Sequence, residues 1–152
     1  MTEQAADNGA TTAGGRIVVG VDGSEESHAA IRWAAGYADA MGAGLTCVSA
    51  WQPVPLLYEI AYAANIDREL EEQCRASLRE AVVAQLGEQR ADEAQLVAAK
   101  GHAAKALIDA SAGALCVVLG TRGRGALAGA VLGSVSSAVA ARAHCPVVIV
   151  RD

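Results

Sequence analysis

From Arg16 onward, short and nearly unbroken apolar runs alternate with longer segments whose apolar residues recur every three or four positions. The runs are RIVVGV (16–21), GLTCVSA (44–50), AQLVAA (94–99), ALCVVLG (114–120) and PVVIVRD (146–152). Apolar runs of this length are strands buried on both faces, and that burial requires a parallel sheet with helices on each side. The intervening segments supply the helices. In 24–41, Ala30, Trp33, Ala34, Tyr37, Ala38 and Met41 lie at helical spacing, so Trp33 and Tyr37 are assigned to the core. Ser24 is placed to cap this helix, with Glu25 and Glu26 in its positive first turn. Ile66, Leu70, Leu78, Val82 and Leu86 mark a second helix over 66–87; 103–112 and 134–143 complete the set. The order β-α-β-α-β-α-β-α-β with right-handed crossovers predicts one open doubly wound α/β sheet. Ligands of such sheets bind beyond the carboxyl ends of the strands, where the strand order reverses.

Composition narrows the function. Hydrophobic residues make up 53% of the 152, phenylalanine is absent, and the abundant alanines suit closely packed helix–sheet layers. A formal net charge of −5 argues against a nucleic-acid partner, which needs a positive footprint. No apolar stretch reaches the roughly 18 residues of a membrane span. Residues 1–15 have neither a basic start nor an apolar centre, and their small polar side chains read as a disordered leader before a single domain at 16–152. Cys47, Cys74, Cys116 and Cys145 lie far apart without a C-x-x-C pair, as expected of free thiols in a cytoplasmic protein. With His28, His102 and His144 they show no zinc spacing.

The segment after the fourth apolar run, LGTRGRGALAGAVLGSVSS (119–137), is long for a strand–helix turn. Gly120, Gly123, Gly125, Gly129 and Gly133 allow positive φ angles and close backbone approach. Ser134 stands where it would cap the following helix, whose start offers unpaired N–H donors, and Ser134 and Ser136 add hydroxyls. Strand end, glycines, serine and helix start fall in the order that builds a phosphate site. It is not a P-loop, because Ala126 and Leu127 stand where Lys and Ser/Thr are required. It is not a dinucleotide fingerprint either, because after Gly129 the only acidic residue is Asp152.

Gly120-x2-Gly123-x9-Gly133-Ser134 resembles the signature of the ATP-binding universal stress proteins. VVGVDGSEES (18–27) resembles their first strand and turn, and HCPVVIV (144–150) their last strand. The resemblance implies a Rossmann-like fold of the adenine nucleotide alpha hydrolase type with strand order 3-2-1-4-5. Carried over by position, it implies that Val21 and Asp22 line the nucleoside pocket and that Val48 meets the adenine. Gly120, Arg122 and Gly123 would flank ribose and phosphates, while Gly133, Ser134, Val135 and Ser136 would hold the phosphate chain. It also implies ATP with Mg²⁺ as the ligand, and a homodimer through the last strand, Pro146 to Arg151.

Asp22 would be repelled by a phosphate, so it is expected to accept from ribose or base, or to act through a bridging Mg²⁺; the alternative is that it caps the turn into the first helix. Arg122 is the better phosphate partner of Arg122 and Arg124, and Trp51 falls just past the second strand. No P-loop lysine, evident base or nucleophile–base pair is present, so the expected function is a nucleotide-responsive stress protein with slow or absent ATP hydrolysis, read by a protein partner. The competing classes are an ATP-dependent enzyme, a flavin or redox domain, a cyclic-AMP binder and an interaction module with an empty pocket.

Overall fold

The computed structural model describes residues 14–53, 63–123 and 132–151. Five parallel strands form one sheet in the order β3-β2-β1-β4-β5. The strands are β1 (Arg16–Gly20), β2 (Gly44–Trp51), β3 (Gln95–Lys100), β4 (Cys116–Gly120) and β5 (Val147–Val150). The helices are α1 (Glu25–Met41), α2 (Ala63–Leu86), α3 (Glu88–Glu93), α4 (Ala103–Ser111) and α5 (Ser134–Arg142). β1 pairs with β2 from Arg16↔Gly44 to Gly20↔Val48, and with β4 from Ile17↔Cys116 to Val19↔Val118. The first three strands therefore run outward from β1 on one side and the last two on the other, so the strand order reverses between β1 and β4.

Alternation along each strand sorts the core into two layers. Ile17, Val19, Cys47 and Val118 face α1 and α2, where they meet Ile31, Ala34, Leu78 and Val82. Val18, Val48, Val117 and Leu119 face the other way, with Leu107 of α4 and Val139 of α5. Burial pushes the Cys47 thiol up to about 12, the Arg90 guanidinium opposing only in part. All four cysteines are free. Among the described residues, no helix is long and apolar enough to cross a membrane.

Three details differ from the sequence reading. Trp33 is exposed (40%) and Met41 also faces solvent, because α1 meets the sheet along Ser27, Ala30, Ile31, Ala34 and Ala38. Small side chains let that helix sit close to the strands, which leaves Trp33 stacked on Tyr37 at 5.1 Å outside the contact. The second helix starts at Ala63, earlier than expected, and α3 adds a short turn of helix that the pattern did not mark. Arg124, Gly125, Gly129 and most of the proline-containing segment after Trp51 lie outside the described residues.

Candidate functional site

A cavity of about 530 Å³ opens at the carboxyl ends of β1, β2 and β4, at the reversal of strand order. All ten residues singled out from the sequence line it: Val21, Asp22, Val48, Gly120, Arg122, Gly123, Gly133, Ser134, Val135 and Ser136. α2 closes one side with Leu70, Gln73, Cys74, Ser77 and Leu78, and Trp51 stands at the end of β2.

Asp22 leaves the end of β1 and turns the chain into α1. Its Oδ1 accepts from the Ser24 N–H at 2.9 Å and from the Ser24 hydroxyl at 2.6 Å. Ser24 in turn caps α1, its Oγ accepting from the Ser27 N–H at 3.2 Å, as the sequence indicated. Asp22 therefore does shape the turn, through one oxygen. Its other oxygen lies against Gly123, where any Cβ would collide with it. The carboxylate thus lies between the end of β1 and the segment after β4.

The glycines act differently from expectation. None of Gly120, Gly123 and Gly133 has a positive φ. A Cβ on Gly120 would come within 2.6 Å of Glu26 Cβ and 2.8 Å of Glu26 C, so this glycine lets β4 and α1 pack together. Gly123 makes room for Asp22. Gly133 has neither constraint: φ −72° and ψ 169° suit any residue, and a Cβ there would meet nothing nearer than Arg122 Cα at 3.5 Å. The chain itself does not require glycine at 133.

Gly133, rather than Ser134, is the N-cap of α5; Ser134 occupies the first helical position, and no side chain caps the helix. The extended ψ at Gly133 puts the helix start one residue earlier than a serine cap would. The Gly133 N–H is already used, donating to Thr121 O at 2.8 Å. The first intrahelical bond runs from the Ser137 N–H to Gly133 O at 2.9 Å. The N–H groups of Ser134, Val135 and Ser136 precede it and so have no helical acceptor. They form the donor-rich end of a helix dipole on the cavity wall. The Ser136 hydroxyl is spent within the chain, donating to Gly120 O at 2.8 Å and tying α5 to the end of β4.

Among the described lining residues, Asp22 is the only carboxylate and Arg122 the only side-chain cation; histidine and lysine are absent. Among the described residues, no group of three His, Cys, Asp or Glu side chains could hold a metal ion. The α2 wall left no sign in the sequence, since nothing in the spacing of Gln73, Cys74 and Ser77 says which strand ends that helix will cover.

Fold and cavity together define a class: an open α/β domain with a ligand crevice at the strand-order reversal. Within that class the chain belongs to the universal stress protein family, whose profile matches residues 15–151. It is 41% identical over 139 residues to a universal stress protein of Mycolicibacterium smegmatis, covering 89% of this chain and 47% of that protein. The chain thus spans about half the length of this relative. A Thermus aquaticus universal stress protein is 38% identical over 138 residues, covering 89% of this chain and 97% of the relative. Among solved structures, UspA from Lactobacillus plantarum superposes with a TM-score of 0.72 at 21% identity, covering 90% of this chain and 97% of that one. A universal stress protein in complex with cAMP superposes with a TM-score of 0.59 at 28% identity, covering 90% and 95%.

Proposed function

We propose that this domain is a nucleotide-responsive regulatory protein that binds an adenine nucleotide, ATP foremost, in the cavity at the strand-order reversal. One observation carries the reading: the residues chosen for nucleotide contact, scattered from 21 to 136, line a single cavity that includes the uncapped start of α5. Val21, Asp22 and Val48 stand at the nucleoside end. Gly120, Arg122 and Gly123 flank the ribose and phosphates, and the amides of Ser134, Val135 and Ser136 receive the phosphate chain. The bare Gly133 keeps the start of α5 open to an occupant, which accounts for a glycine the fold does not need. Asp22 accepts from the ribose or base, or meets the phosphates through a bridging Mg²⁺ that enters with them and screens their charge.

Turnover is slow or absent in this reading. Hydrolysis needs an oriented water and stabilised charge on the leaving phosphate, and the described lining offers no lysine and no histidine. A second reading, cyclic AMP as the ligand, is favoured by the 28%-identical relative solved in complex with cAMP. The protein acts as a cytoplasmic homodimer joined through Pro146 to Arg151, a reading supported by the position of β5 at the sheet edge with half-buried valines. A partner protein reads the bound state.

Calorimetric titration with ATP, AMP, cyclic AMP and GTP tests the ligand. Gly133→Ala and Asp22→Ala should each weaken ATP binding, and unchanged affinity in both would refute the site. A turnover number above about 1 s⁻¹, in the range of ordinary enzymes, would refute the regulatory reading. A monomer in light scattering at micromolar concentration would refute the dimer.

A further inference from the structure

Among the described residues, Trp51 Nε1 is the one buried side-chain nitrogen or oxygen with no hydrogen-bond partner. Indole N–H is a donor only, and buried donors of this kind are nearly always paired. The Trp51 backbone is fixed at the end of β2. The Trp51 carbonyl accepts from the Gly101 N–H at 2.8 Å, and the Lys100 ammonium sits 5.7 Å from the ring centroid. Lys100 is itself held by Asp67 at 2.9 Å. The indole donor is therefore unsatisfied by protein and closed to bulk water, on a residue that lines the candidate cavity.

Its place in the cavity tells which part of an occupant it meets. Trp51 ends β2, whereas the amides suited to phosphate begin α5, beyond β4. β1 lies between β2 and β4, so those two strand ends are about 10 Å apart. That is the scale separating a base from its phosphates. The group beside Trp51 is then the base, and what an adenine offers a donor is a ring nitrogen.

We infer that Trp51 is a specificity-determining residue, whose indole N–H donates to an acceptor nitrogen on the base of the bound nucleotide. This rests on the nucleotide reading above. The N–H lacks an acceptor in the free protein and gains one when the ring turns slightly toward the ligand. A base without the matching acceptor leaves the donor unpaired and binds less tightly.

The test uses the full chain carrying Trp33→Phe, which leaves Trp51 as the only tryptophan of the two in the sequence. Trp51 is then replaced by β-(3-benzothienyl)alanine, which keeps the ring shape and removes the N–H. ATP affinity should fall about threefold to tenfold, with no drop in the ligand-free melting temperature, and Trp51→Phe should lose at least as much affinity. Of 1-deaza-, 3-deaza- and 7-deaza-ATP, one should lose the same factor on the parent and nothing further on the isostere. In the parent, Trp51 fluorescence should change on ATP addition. A parent that binds ATP and an isostere that binds it equally well would overturn the Trp51 assignment alone. So would losses that simply add for every deaza analogue. A parent that binds no adenine nucleotide would overturn the nucleotide reading and this inference with it.

Discussion

Gly120→Ala separates a packing role from a ligand role in the glycine segment. An added Cβ would lie 2.6 Å from Glu26 Cβ, 2.8 Å from its carbonyl carbon and 2.9 Å from its carbonyl oxygen. Carbon atoms settle at about 3.5–4.0 Å, so the first turn of α1 and the end of β4 must separate by about 1 Å. Two of the three obstructing atoms are backbone, which cannot rotate away. Overpacking of this kind costs about 2–3 kcal/mol, and for a domain of this size the melting temperature should fall by about 5–10 °C. Gly133→Ala is the internal control. Its φ of −72° and its open surroundings accept alanine. The narrower unfolded ensemble adds about 0.4–1 kcal/mol, and the poorer N-cap offsets about as much, so stability should stay within about 1 kcal/mol of the parent. Thermal unfolding followed by far-UV circular dichroism reads both variants. A Gly120→Ala protein melting within about 2 °C of the parent, or a Gly133→Ala protein destabilised as much as Gly120→Ala, would refute the division of roles.

Stability should also respond to two other features. The native Cys47 thiol holds its proton to about 12, whereas the unfolded thiol ionises near 9.0. The unfolded state sheds its proton first, so stability falls as pH rises through this window, by about 1 kcal/mol per pH unit. Urea melts between pH 8 and pH 11 should show the slope, and Cys47→Ala should flatten it. Ser24→Ala removes both the cap on the Ser27 N–H and the hydroxyl that Asp22 holds at 2.6 Å. It should cost about 1 kcal/mol and lower the melting temperature by about 3 °C; an unchanged melting temperature would show that α1 does not depend on this cap.

The strands were legible because burial on both faces leaves an apolar run in the chain itself, as in Ile17–Val19 and Val117–Leu119. The Ser24 cap was legible for a similar reason, since its acceptor and donor lie three residues apart. The ten cavity residues could be named because the glycine–serine spacing after β4 resembles a family signature that carries them over by position; Val48 in mid-strand and Arg122 in the loop show no local sign of a site. α3 left no trace, since EQRADE buries only Ala91 and so has no apolar period. Trp33 was misplaced for a related reason: helical spacing shows that residues share a stripe, but the side of the stripe that meets a sheet depends on how closely the backbone approaches.

By itself, then, the order of residues determined most of what is local: the alternation of strand and helix and the Ser24 cap. Tertiary structure alone decided why Gly120 must be glycine, that Gly123 leaves room for the Asp22 carboxylate, which carbonyl the Ser136 hydroxyl reaches, and that the Trp51 N–H is left without an acceptor. Periodicity and capping act over a few residues and so leave a pattern in the chain. Steric exclusion and hydrogen-bond satisfaction depend on atoms far apart in sequence, and become defined only when the layers close on one another.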